Sequence, residues 1–118
     1  MMAEFGTRII ADGTKSHVVD LGNGMKRQML SYDSQLMLLR VTFVKGTVAA
    51  LHNHPHRQVT YVESGRFELT MGEEKSMLKP GDSFFIPPNV MHGVVALDEG
   101  SLIDVFTPAR EEFLAPKK

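Results

Sequence analysis

The chain has 118 residues, 42% hydrophobic and 23% charged, with 13 Lys+Arg against 14 Asp+Glu for a formal net charge of -1. That length suits one domain with a real core rather than two, and a near-neutral balance with no run of like charge speaks against a nucleic-acid or anionic-membrane partner. Zero cysteines exclude disulfides, thiol catalysis and Cys-ligated metal centres, which leaves His, carboxylate and amide as available ligands. The opening MMAEFGTRII has no basic region leading into an apolar run, and no apolar run is long enough to span a bilayer, so a soluble cytoplasmic protein is expected.

Residues 1–16 mix small and polar types around Gly6 and Gly13 and read as an arm or edge strand. From His17 onward, short apolar segments alternate with turn residues: HVVDL, GNG, MKRQMLS, YDSQ, then LMLLRVTFV. In the last, Met37, Leu39, Val41 and Phe43 form an apolar face, while Leu38, Arg40, Thr42 and Val44 form a mixed one, the period-two signature of a strand. Lys45-Gly46 turns the chain into a histidine-bearing segment, and Ser64-Gly65 turns it again before RFELTM. There Phe67, Leu69 and Met71 oppose Arg66, Glu68 and Thr70, as in a half-buried antiparallel strand. The polar GEEK, the segment SMLK and the tight Pro80-Gly81-Asp82 turn follow. In SFFIPPNVMHGVVAL, Pro87-Pro88 cannot donate to a ladder, so the strand must pause before His92. SLIDVFT is the last strand, and 108–118 read as a short helical turn and tail. Roughly ten short strands and no long helical period predict an all-β antiparallel sandwich or barrel, one domain over 1–118.

The chemistry concentrates in residues 46–65, GTVAALHNHPHRQVTYVESG, which hold three of the five histidines. Residues two apart on a strand share a face, so His52 and His54 can aim two imidazoles at one point, with the Gln58 oxygen as a further uncharged donor. Neutral imidazole is the commonest ligand for first-row divalent metals. For an isolated HNH the competing reading is a surface His-rich loop; the rest of the chain favours the metal.

Gly46, five residues, His52, one residue, His54, three residues, Gln58, six residues and Gly65 resemble the first cupin motif, with Gln58 where Glu is usual. Gly81, five residues, Pro87, one residue, Asn89, two residues and His92 resemble the second, with Asn89 where Gly is usual and Ala96 where Asn is usual. The resemblance covers 40–107 and implies a cupin, that is, a double-stranded β-helix or jelly-roll barrel. It also implies that His52, His54, Gln58 and His92 converge on one divalent transition-metal ion: Ni, Zn, Mn, Fe or Co. The runs KRQMLSYDSQLML, HPHRQVTYV, GDSFFIPPNVMHGVV and DVFTPAREEF are similar to the KdgF family over nearly all of 20–114. That narrower resemblance also carries Gln at the Gln58 position. It implies conversion of 4,5-unsaturated monouronates from pectin or alginate into linear 5-keto-4-deoxyuronate, with a functional Asp, Phe and Arg at Asp104, Phe106 and Arg110, and a homodimer.

The residues themselves are compatible with that chemistry. Three neutral imidazoles and an amide leave a divalent ion its full charge, which favours Lewis-acid work and argues against a cupin-type dioxygenase. Asp104 shares a strand face with Leu102 and Phe106, so the carboxylate is expected to face the cavity, with a raised pKa suited to general acid-base catalysis. The competing reading is a structural ion pair. Arg110, beyond Pro108, can contact a uronate carboxylate bidentately or sit solvated beside Glu111 and Glu112. Phe106 serves as substrate platform or as core; Phe84, Phe85 and the methionines read as core. Lys26, Arg27 and Gln28 are weaker candidates for sugar contacts, and His17 and His56 are expected to face solvent. A non-catalytic sugar-binding cupin is the remaining rival, which would need the cavity but no proton-transferring group.

Overall fold

A computed structural model describes residues 6–114. Ten strands follow one another: β1 Val18–Gly22, β2 Met25–Tyr32, β3 Met37–Phe43, β4 Val48–His52, β5 Arg57–Ser64, β6 Phe67–Met71, β7 Glu74–Leu78, β8 Ser83–Ile86, β9 His92–Ala96 and β10 Gly100–Thr107. A 3₁₀ turn at Glu111–Phe113 ends the described chain. The strands make two antiparallel sheets, one in the order β1-β2-β3-β10-β5-β8 and one in the order β4-β9-β6-β7.

The alternating patterns decide which faces meet. Met37, Leu39, Val41 and Phe43 of β3 are all buried, as are Phe67 and Leu69 of β6. Phe43 and Phe67, from opposite sheets, meet edge to face with centroids 5.1 Å apart. Burying Phe67 completely is worth about 1.5–3 kcal/mol in transfer free energy. At the Gly22-Asn23-Gly24 corner, Gly22 pairs with Met25 across a two-residue loop. Asn23 and Gly24 both take positive φ, as a type I′ hairpin turn requires.

Some expectations change. Phe85 is 47% exposed, not core. Val59 pairs with Phe85 and Thr60 with Phe84, so adjacent aromatic residues point to opposite faces and Phe85 joins Val59 on the outer one. Met77 and Met91 are exposed as well, while Met37 is fully buried. Within 1–16, Arg8 pairs with Tyr32 through two backbone hydrogen bonds of 2.9 and 3.0 Å, an isolated bridge rather than a strand; residues 1–5 lie outside the described part, as do 115–118 of the expected tail. No helix among the described residues is long and apolar enough to cross a membrane.

Candidate metal centre and cavity

His52 ends β4 and pairs with His92 at the start of β9. His54 lies two residues past the strand, in the loop before β5. The three imidazoles therefore converge through the crossing of a strand end, a loop and a neighbouring strand, and not, as the pleat alone suggests, from one face of one strand. One ligand atom from each lies within 4.8 Å of the others. The loop is held where it must be: Asn89 donates its backbone N–H to the His54 carbonyl at 2.7 Å. Asn89 itself has φ 68°, the left-handed conformation that Asn tolerates better than most residues, which accounts for Asn at a position where glycine is usual.

Each ring is oriented by a backbone carbonyl. Nδ1 of His52 lies 2.9 Å from Ala50 O, that of His54 3.1 Å from His56 O, and that of His92 2.9 Å from Val90 O. A carbonyl only accepts, so each Nδ1 carries a proton, and in a neutral ring the lone pair is then on Nε2. Burial, the largest cause, holds the His92 pKa down to about 4 and lowers that of His54, so the neutral ligand form is favoured.

Gln58, on β5, lies beside His54. Its amide donates to Thr60 Oγ1 at 2.9 Å and to Asp104 Oδ1 at 3.4 Å, which turns the carbonyl oxygen toward His54 Nε2 at 3.0 Å. Flipping the amide would put that oxygen against the Asp104 carboxylate. Two lone pairs thus face one another at His54 and Gln58, and the buried Nε2 of His92 has no hydrogen-bond partner among the described residues. Orphaned, converging acceptors of this kind fit a cation; the four residues suit a divalent metal.

Behind them lies Asp104, on β10, 8% exposed between buried Leu102 and Phe106. Thr60 donates its hydroxyl to Asp104 Oδ1 at 2.6 Å. No Lys or Arg among the described residues forms an ion pair with it, and the structural salt-bridge reading has no partner here. Burial pushes its pKa up to about 6, against the opposing pull of the Thr60 hydroxyl and the Arg110 charge. Phe106 is both core and wall: it is buried, and its ring meets His54 edge to face at 5.5 Å. Arg110 is half-buried rather than solvated. It pairs with Glu112 at 2.7 Å while lying over Phe106 and Phe113 at the cavity.

Together, His52, Gln58, His92, Asp104, Phe106 and Arg110 line a cavity of about 140 Å³. A wider cleft of about 650 Å³, lined by Gly22, Asn23 and Ser101 toward the other end of β10, contains none of the histidines and none of these groups. His17 is exposed as expected, whereas His56 is half-buried and outside the three-histidine group. Sequence reasoning missed Thr60 and Phe113. Thr60 had a signal: Gln58, Thr60 and Val62 alternate along β5 and are all buried, so two polar groups stand on a core-facing row. Arg27 lines the cavity; Lys26 is exposed, and Gln28 is spent on Gly13 O, Ser16 O and Arg40.

Two antiparallel sheets closed on an apolar interior, with three histidines at its mouth, define a class: a small β-barrel whose site can hold a metal ion. The Cupin domain family matches residues 39–106. Pectin degradation protein KdgF of Dickeya dadantii (strain 3937) is 45% identical over 97 residues, 80% of this chain and 88% of that protein. Among solved structures, an RmlC-like cupin from Shewanella frigidimarina NCIMB 400 has a TM-score of 0.89 and 41% identity over 92% of this chain and 98% of its own. KdgF from Halomonas sp. has a TM-score of 0.86 and 37% identity over 92% of this chain and 100% of its own. The chain belongs to the cupin family and, within it, to the KdgF group.

Proposed function

We propose that this protein is an isomerase-like enzyme that converts 4,5-unsaturated monouronates, released from pectin or alginate, into linear 5-keto-4-deoxyuronate. The observation that carries the reading is a buried carboxyl, Asp104, hydrogen-bonded through Thr60 and directly to the Gln58 amide, and lining the same cavity as His52 and His92. The relative named a pectin degradation protein supports the substrate class.

The substrate is an enol ether at C5 and a hemiacetal at C1. Opening the ring breaks the C1–O5 bond as the C1 hydroxyl loses its proton and becomes an aldehyde, leaving an enolate at C5. Protonation at C4 then turns that enolate into the ketone. One proton leaves the C1 hydroxyl and one arrives at C4, so a single carboxyl can take and give with no net change, and Asp104 is the group assigned to it. What a divalent ion held by His52, His54, Gln58 and His92 supplies when bound is Lewis acidity toward a substrate oxygen. Thr60 and Gln58 aim the Asp104 carboxyl; apolar Leu102 and Phe106 keep water from it and hold its pKa in a range where it can both accept and donate. Arg110, kept beside Phe106 by Glu112, orients the substrate carboxylate.

The test is direct. Purified, metal-replete protein is incubated with monouronate freshly generated by a polysaccharide lyase, and the conjugated-alkene absorbance is followed. Loss faster than the spontaneous reaction is expected; a rate equal to the protein-free control removes the proposal. Cytoplasmic location and a homodimer belong to the same proposal, the latter checked by sedimentation.

A further inference from the structure

Arg27 stands where the fold would ordinarily place an apolar residue. On β2, Met25, Arg27 and Met29 alternate onto one face, and across the ladder they pair with Phe43, Val41 and Leu39, all three buried. Met25 and Met29 pack against the core. Arg27 shares that inward face and lines the cavity that holds His52, Gln58, His92 and Asp104.

A guanidinium so placed needs an anion or a full set of acceptors. Among the described residues it has neither: its side chain forms no hydrogen bond or ion pair, and its one described contact of this kind is the Phe113 ring, 4.0 Å from Cζ to the centroid. The second guanidinium nearby, Arg110, lies 4.4 Å from the same ring and is already paired with Glu112. Two guanidiniums therefore share one aromatic platform at one cavity, and a single paired carboxylate partly neutralises them. Phe113 tolerates the positive charge through its ring face but supplies no acceptor.

We infer that Arg27 is a carboxylate-binding residue of this cavity, presenting its planar fork to the carboxylate of a bound monouronate beside Arg110. The inference rests on the proposed substrate class and adds a determinant of it: an acidic sugar is selected over a neutral one because only the acid satisfies the unpaired guanidinium. The β2 strand, which carries none of the metal-ligand candidates, thereby joins the site.

Saturated galacturonate, which cannot be turned over, and its methyl ester serve as probes, with binding to the metal-loaded full chain read by calorimetry. Wild type is expected to prefer the acid over the ester, and Arg27→Met to bind the acid about 10- to 100-fold more weakly with little change for the ester. Arg27→Lys, which keeps charge but loses the fork, should fall between the two and guards against misfolding of the first variant. Metal content should be unchanged in both. Wild type without preference for the acid, or Arg27→Met with its preference intact, overturns the inference. Turnover of the unsaturated substrate is measured separately: a protein that binds galacturonate through Arg27 yet fails to turn over the unsaturated sugar leaves this inference standing and removes the proposed reaction.

Discussion

Gln58 is the residue at which the candidate ligands and the proposed proton carrier, Asp104, are coupled. Its oxygen faces His54 because its nitrogen is held by Thr60 and Asp104. A glutamate there would retain a ligand oxygen but bring a second carboxylate to the 3.4 Å contact with Asp104, where two like charges cannot both persist. Gln58→Glu should therefore keep its metal by elemental analysis while kcat falls; metal loss, or unchanged turnover, would contradict this. Asp104→Asn preserves size and a hydrogen-bonding oxygen for Thr60 while removing the titratable proton. Fold and metal should survive and kcat should drop by about 100- to 10,000-fold with KM little changed. Turnover within a few-fold of wild type would make Asp104 structural. Arg110→Ala should act mainly through KM.

At the scale of elements, the site depends on how closely β4 and β9 approach. Gly93 follows His92, and a Cβ built on it would lie 2.7 Å from Ala49 O, a backbone atom that cannot swing aside. The pairing register between these strands also shifts between Ala49 and His52, so the strand that carries His52 bends where Gly93 admits it. Gly93→Ala must part the two strands by some tenths of an ångström, separating His52 from His92. We expect weaker metal affinity by titration than in wild type, together with a lower Tm. Wild-type affinity in a Gly93→Ala protein would show that the strands accommodate the methyl without moving the ligands.

For the whole molecule, the ligand candidates bridge the two sheets. His52 and His92 belong to the four-stranded sheet, Gln58 to the six-stranded one, and His54 to the loop that crosses between them. An ion held by all four ties the sheets together at the barrel mouth in the folded chain only. Metal at about 100 times its Kd should then add roughly 2.7 kcal/mol to stability, raising Tm in proportion to the logarithm of metal concentration. Chelation should reverse the gain, and His92→Ala should show no metal-dependent shift. Equal Tm values for chelated and metal-replete wild type would mean that no such cross-link forms.

The chain by itself determined the strands, because period-two alternation such as Met37, Leu39, Val41, Phe43 is a local property that burial then rewards. Its resemblance to the two cupin motifs singled out His52, His54, Gln58 and His92 as ligand candidates, and strand alternation put Asp104 on an apolar row. What no spacing contains is contact between residues far apart in sequence. The Thr60 hydroxyl meets Asp104 across 44 positions, the Asn89 N–H holds the His54 carbonyl, and Arg27 reaches Phe113 only after β2 and the 3₁₀ turn are brought together. The outward turn of Phe85 and the half-burial of His56 belong to the same kind: which face a strand residue occupies depends on which sheet closes over it. Local pattern fixes periodicity, but register and sheet packing are chosen by the sum of long-range contacts, and the tertiary structure alone decided those.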